Sequence, residues 1–329
     1  MLKVTLVTPA GRGSRAGNRA TATRWARRLR ELGCRVRLAA PEDAPATWCF
    51  GGQPPDLLFA LHAWRSHAAI RACRETFACP VIVVLTGTDV YRFQHSHPEV
   101  FLDSLASADV LVGLHDCLEE DLPTRFHPRL HVVHQSALPL PSRAPGPNER
   151  TFDVLVAGHL REEKDSLRTA LALRDLPPTS RLRVVQLGGA CSDDWTRAAR
   201  DEMARNPRFR WLGDRPRWRV RQWMARSRLM VISSRMEGGA NVVSEACVAG
   251  LPVVASRIPG NRGLLGEDYP GYFPVADTRA LRECLLRAER EPAFLETLRR
   301  HVDARAPLFR VEAEREALAG VLAACGLAP

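Results

Sequence analysis

The chain has 329 residues, 45% hydrophobic and 26% charged, with a formal net charge of +10. That length is long for one core and comfortable for two domains of a water-facing globular protein. No apolar run reaches the roughly 18 residues of a membrane span, and nine cysteines with no C-x-x-C pair exclude a disulfide framework and a zinc site. A reducing cytoplasm is the compartment expected. Lys3 and Lys164 are the only lysines, and the arginines are spread along the chain rather than gathered in one block. The excess charge therefore reads as solvated helix faces, and neither nucleic acid nor stable membrane association is expected.

The first apolar run, residues 3–8, predicts a strand rather than a signal peptide. A glycine- and arginine-bearing loop follows (GRGSRAG), then a helix capped by Asn18 and closed by Gly33, with Ala22, Trp25, Leu29 and Leu32 on one face. CRVRLAA (34–40) is the next strand, so the chain opens as a doubly wound parallel sheet. The loop lacks the G-x-G-x-x-G fingerprint of a nicotinamide site, but it sets Arg12, Arg15 and Arg19 around a helix start, where a small anion fits. DLLFALH (56–62) and VIVVLTGTD (81–89) are buried strands whose ends deliver His62, Arg65, Thr86 and Asp89 to the same edge. Strands at 109–114 and 130–135 complete this half.

Pro139, Pro141, Pro145 and Pro147 mark a linker. The expected division is an acceptor-binding domain at 1–140, a linker at 141–150, a nucleotide-sugar-binding domain at 151–307, and a C-terminal helix from 308 that packs back on the first domain. After the linker the pattern restarts. Strands are predicted at 152–160, 183–189, 209–213 and 228–233, and helices at about 165–175, 193–205, 217–226, 278–289 and 292–304.

The most informative stretch is EGGANVVSE (237–245), between the strand at 228–233 and the apolar run LPVVAS. It reads as strand, glycine turn and helix, with Glu237 in the loop and Glu245 about one turn inside the helix. Gly238 and Gly239 let a ligand approach the backbone, and the helix start offers N–H groups to an anion. Together with His159, Arg161 and Lys164 after one strand, and Gly188 and Gly189 after another, this describes a nucleoside-diphosphate site. The cations and backbone N–H groups would cradle the diphosphate, and Glu245 would accept the ribose diol. No Asp-x-Asp pair is present, so neither a metal nor a cofactor is expected.

The E-x7-E spacing and GHLREEK (158–164) resemble glycosyltransferases of the GT-B, glycogen-synthase-like type (GT4). Five longer stretches resemble the selenosugar synthases of selenoneine biosynthesis: the segment from VTPAGRGSRAGN, DLLFALHAWRS, LTGTDVYR, SRMEGGANVVSEA and ASRIPGNRGLLGEDYPGYFPV. The resemblance implies an α/β GT-B fold, two Rossmann-like parallel-sheet domains facing a central cleft, with the C-terminal helix crossing back. It implies transfer of N-acetylglucosamine from UDP-N-acetylglucosamine to selenophosphate, alongside enzymes that supply selenophosphate and use the selenosugar. Glu237 would contact the transferred sugar and His62 would lie near the reacting centre. Lys164 with Arg161 would neutralise the departing diphosphate, helped by backbone N–H groups around Gly238, Gly239, Asn241 and Val242. Arg12, Arg15, Asn18, Arg19, Arg65, Thr86 and Asp89 would hold the acceptor. Two departures from the wider family stand out: His159 where an arginine is common, and Thr-Gly-Thr-Asp at 86–89 where a histidine–aspartate pair is common. The alternatives are a GT4 enzyme with an ordinary hydroxyl acceptor and a basic nucleic-acid-binding protein.

Overall fold

Apolar runs alternating with amphipathic segments give two parallel sheets, each with six strands among the described residues. The structure, a computed structural model, describes residues 1–11, 17–141 and 146–328. The chain divides into two compact units, Met1–Gln135 with Val311–Pro329, and Ser136–Arg310.

The first unit runs β1 (Lys3–Val7), α1 (Gly17–Glu31), β2 (Arg35–Ala39), β3 (Leu57–Leu61), α2 (His67–Thr76) and β4 (Val81–Val84). A single π-helical turn at Asp89–Phe93 leads into α3 (Gln94–Ser96), α4 (Pro98–Ala106), β5 (Val110–Gly113) and β6 (Leu130–Val132). The strand order is β2-β1-β3-β4-β5-β6. The chain runs outward from β1 to β2, then crosses back to β3, so the direction of winding reverses between β1 and β3. Side chains alternate along each strand. Leu57, Phe59 and Leu61 join Trp25 and Leu29 of α1 in one apolar layer. Leu58 and Ala60 join Ile70 of α2 and Phe101 of α4 in the other. A sheet covered on both faces reads as continuous apolar runs. α1 opens at Gly17, so Asn18 lies inside the first turn and does not cap it; in helical conformation its own N–H belongs to the turn.

The second unit runs β7 (Phe152–Ala157), α5 (Arg168–Ala172), β8 (Leu182–Leu187), α6 (Asp193–Arg205), β9 (Phe209–Trp211), α7 (Arg217–Arg226) and β10 (Leu229–Ile232). It continues through α8 (Asn241–Val248), β11 (Val253–Ser256), α9 (Pro259–Leu265), β12 (Tyr272–Phe273), α10 (Thr278–Arg290) and α11 (Pro292–Arg305). The order β12-β11-β10-β7-β8-β9 puts the reversal of direction between β7 and β10. α5 is shorter than the expected 165–175 because Asp165 takes a left-handed conformation, φ 44°, which ends the preceding turn and delays the helix.

The last helix, α12 (Val311–Ala324), belongs to the first unit. Leu318, Val321 and Leu322 complete the layer that holds Trp25. Its apolar face also carries a fully buried carboxylate. Glu314 Oε1 accepts from Trp25 Nε1 at 2.9 Å and Arg24 Nε at 2.8 Å. A buried charge is tolerated only when paired in this way. Among the described residues no helix is long and apolar enough to cross a membrane.

Candidate active site

The reversal between β7 and β10 brings together residues far apart in sequence. Lys164 follows β7 on a short 3-10 turn, Glu162–Lys164. Ser233 Oγ anchors this turn, lying 3.2 and 3.1 Å from the carbonyls of Lys164 and Asp165. Ser166 Oγ accepts the Arg161 N–H at 3.0 Å. So held, the Lys164 ammonium pairs with Glu237 Oε1, which also accepts from Ser234 Oγ at 2.5 Å. Glu237 is buried, as are the two serines that shape its loop. A small depression between the ends of β7 and β10 is lined by Gly158, Lys164, Ser166, Ser233 and Ser234. Another cavity in this unit, about 290 Å³, includes Ser227 and Pro252, which precede β10 and β11, and so opens at the opposite edge of the sheet.

Glu237 is fixed from behind by α9. A Cβ on Gly260 would sit 2.1 Å from the Glu237 carbonyl oxygen, so only glycine allows that approach. Neither this contact nor Ser234 was marked by the sequence pattern. α8 begins at Asn241, with Ala240 extended and no side-chain cap. Gly238, Gly239, Asn241 and Val242 therefore stand at the start of the helix that carries Glu245. The N-terminal end of a helix favours negative charge. Glu245 is mostly buried, and its Oε1 receives Arg217 Nε at 3.0 Å and Nη2 at 2.7 Å. Arg217 is the first residue of α7, and sequence reasoning missed it.

The loop after β8 serves a different purpose from the one expected. Gly188 (φ 141°) has its hypothetical Cβ 2.0 Å from the Gly158 oxygen, so the two loops touch through backbone. The Gly188 N–H donates to the Gly213 carbonyl at 2.9 Å, and the Gly189 N–H to His159 Nδ1 at 3.1 Å. These amides are used within the protein and do not form an anion cradle. His159 thus orders the β8 loop through one ring nitrogen. Arg161 is more open. Its nearest carboxylate is Glu163 at 3.8 Å, and its buried Nε has no hydrogen-bond partner among the described residues.

In the first unit, His62 directly follows β3 with φ 74°, a left-handed conformation unusual for a non-glycine residue, and is buried. Its Nδ1 accepts the Arg65 N–H at 3.1 Å, so the neutral ring carries its proton on Nε2 and donates it to Thr88 Oγ1 at 3.0 Å. Burial holds the imidazole pKa below its ordinary value, against the opposing pull of Asp89. Asp89 is fully buried, and its carboxylate accepts the N–H groups of Ala63, Thr86, Gly87 and Val90 at 2.7–3.2 Å. It was expected to hold the acceptor. With these oxygens committed to backbone amides, it organises the loops after β3 and β4 instead. Thr86, Asn18 and Arg19 are half-buried, and Arg65 is exposed with its guanidinium 6.0 Å from the Phe93 ring. Arg12 and Arg15 lie outside the described residues.

A second polar cluster lies beside β5. Tyr91 donates to Asp121 Oδ2 at 2.9 Å and so accepts from His115 Nε2, 3.1 Å away. His115 is fully buried, its pKa pushed down to about 4 by burial, and its Nδ1 has no partner among the described residues.

Residues 142–305 match the family described as Glycosyl transferases group 1. The putative teichuronic acid biosynthesis glycosyltransferase TuaC of Bacillus subtilis (strain 168) is 25% identical over 72% of this chain. The chain spans 62% of that relative's length. Anabaena HepE, solved in complex with UDP and glucose, superposes with a TM-score of 0.79 at 15% identity, covering 98% of this chain and 100% of HepE. Sucrose-phosphate synthase from Thermosynechococcus elongatus gives 0.79 at 16% identity over 98% of each chain. The pneumococcal O-GlcNAc transferase GtfA, in complex with UDP and GlcNAc, gives 0.62 at 18%, covering 82% of this chain and 56% of GtfA. The protein therefore has the two-sheet GT-B fold, and its residues 142–305 are similar to the group 1 glycosyl transferases.

Proposed function

We propose that this protein transfers N-acetylglucosamine from UDP-N-acetylglucosamine to selenophosphate, forming a carbon–selenium bond. The observation that carries the donor half is the pairing of Lys164 with Glu237 where the sheet reverses between β7 and β10, next to the helix that bears Glu245. A half-buried ammonium at the crevice of a doubly wound sheet, beside a helix start, is a place for a diphosphate. HepE was solved with UDP and GtfA with UDP and GlcNAc, which supports a uridine nucleotide and the sugar proposed.

In this reading the C1–O bond of the donor breaks with its electron pair leaving on UDP. A selenium lone pair forms the C1–Se bond, and water then cleaves Se–P to release phosphate and the 1-seleno-sugar. Lys164, with Arg161 and His159 nearby, stabilises the charge that develops on the leaving diphosphate. The amides around Gly238, Gly239, Asn241 and Val242 add to this. Glu237 takes hydroxyls of the transferred sugar, and Glu245 takes the ribose. Arg12, Arg15, Asn18, Arg19, Arg65 and Thr86 receive the acceptor's oxyanion.

The state of His62 supports an acceptor of this kind. Both ring nitrogens are engaged, and its lowered pKa makes it a weak base. An acceptor hydroxyl needs a base, whereas selenophosphate is ionised and nucleophilic near neutral pH. The similarity to TuaC favours a second reading, a GT4 transferase with a carbohydrate hydroxyl as acceptor. Mass spectrometry of the protein incubated with UDP-N-acetylglucosamine and either selenophosphate or a panel of sugar alcohols separates the two. A selenosugar mass with stoichiometric UDP is expected; turnover of the alcohols alone would replace the first reading with the second.

A further inference from the structure

The contact between Arg217 and Glu245 has a consequence for the ribose site proposed above, on which this inference rests. Arg217 Nε donates to Oε1 of Glu245, and Nη2 lies 2.7 Å from the same oxygen, so both contacts fall on Oε1. A carboxylate oxygen has about two acceptor positions, so Oε1 is filled. A ribose diol that bonds both oxygens needs one position on each. The two partners differ in exposure: the Glu245 side chain is 10% exposed and that of Arg217 is 55% exposed. The carboxylate is the fixed element, seated inside α8. The guanidinium reaches it from the water-facing start of α7, and it makes no other ion pair among the described residues.

We infer that Arg217 is an exchange partner for the nucleoside: it neutralises Glu245 while the site is empty and yields Oε1 when the two ribose hydroxyls arrive. A nearly buried carboxylate without a partner is unfavourable, which gives the contact its purpose in the empty protein. Because the arginine is half in water, giving up the contact weakens nucleoside binding only about twofold to fivefold. Arg217 thus opposes binding, the reverse of what a positioning arginine would do.

The test is calorimetric titration of the full chain with uridine, which has no phosphate through which a lost cation could act. Arg217→Ala and Arg217→Gln should both bind uridine about twofold to fivefold tighter than wild type, and the gain should shrink at high salt, where the wild-type pair is already weakened. With 2′-deoxyuridine, which keeps only the 3′-hydroxyl of the diol and can use Oε2 alone, the gain should vanish. Equal or weaker uridine binding by both variants, or an equal gain with both nucleosides, overturns the exchange. Glu245→Gln separates failure of the underlying reading: if it binds uridine as tightly as wild type, the ribose assignment itself falls, whatever Arg217 does.

Discussion

Replacing Lys164 by methionine removes the ammonium while keeping most of the side-chain bulk, and two separable losses follow. The first is in stability. Glu237 is buried, and without Lys164 its Oε1 keeps the Ser234 hydroxyl. Breaking a fully buried pair from one side costs roughly 3–5 kcal/mol. The side chain of Lys164 is 19% exposed, which with the surviving hydroxyl contact reduces the figure to about 2 kcal/mol. For a unit of this size that is roughly 4–8 °C in Tm. The second loss is in turnover. If Lys164 meets the leaving diphosphate, kcat should fall about a hundredfold to a thousandfold, the usual effect of deleting one electrostatic donor to a developing charge. The double variant Lys164→Met/Glu237→Gln separates the two, since the amide removes the uncompensated charge. Thermal melts should recover most of the lost Tm, while steady-state UDP release stays low. Recovery of kcat in the double variant, or an unchanged kcat in Lys164→Met, would refute the role assigned to the ammonium.

Gly260→Ala forces a Cβ to 2.1 Å from the Glu237 carbonyl, so either α9 or the Glu237 loop must move; a loss of about 2–3 kcal/mol in urea unfolding is expected, with a rise in the donor KM. Asp89→Asn replaces one acceptor oxygen with an NH2 group amid backbone N–H donors. It should cost about 1–3 kcal/mol by denaturant melts while leaving the Kd for UDP unchanged. The His115 imidazole titrates at about 4 in the folded protein against 6.5 in the unfolded chain. The unfolded chain takes up the proton first as pH falls, so stability is intact above about pH 6.5 and declines toward pH 4, by roughly 3 kcal/mol in full. His115→Gln should flatten that part of a urea-midpoint profile measured between pH 7 and 4.5.

Much of this architecture was legible because its signals are local. The continuous apolar runs at 57–61 and 81–84 mark strands buried on both faces, and the stripe Ala22, Trp25, Leu29 marks a helix against them. The glycine pair before α8 announced where that helix starts. Other local signals pointed the wrong way. Gly188 and Gly189 resembled a cradle for an anion, yet their amides close onto Gly213 and His159. Asp89, polar and at a strand end, looked like a ligand group, yet the backbone of its own and a neighbouring loop takes it up. No pattern announced Glu314, because a carboxylate on an apolar helix face reads as an error until Arg24 and Trp25 are brought to it.

The sequence by itself determined the alternation of strands and helices, the two-part organisation, and two glutamates eight positions apart on a glycine turn and its helix. Those features follow from side-chain periodicity and backbone sterics over a few residues. Tertiary structure alone decided what each glutamate touches. Lys164 and Glu237 are separated by 73 positions and Arg217 and Glu245 by 28, and they meet because β10 lies beside β7 rather than beside β9. Strand order is a property of the whole sheet, set by which apolar faces can be covered together, so no short stretch of sequence carries it.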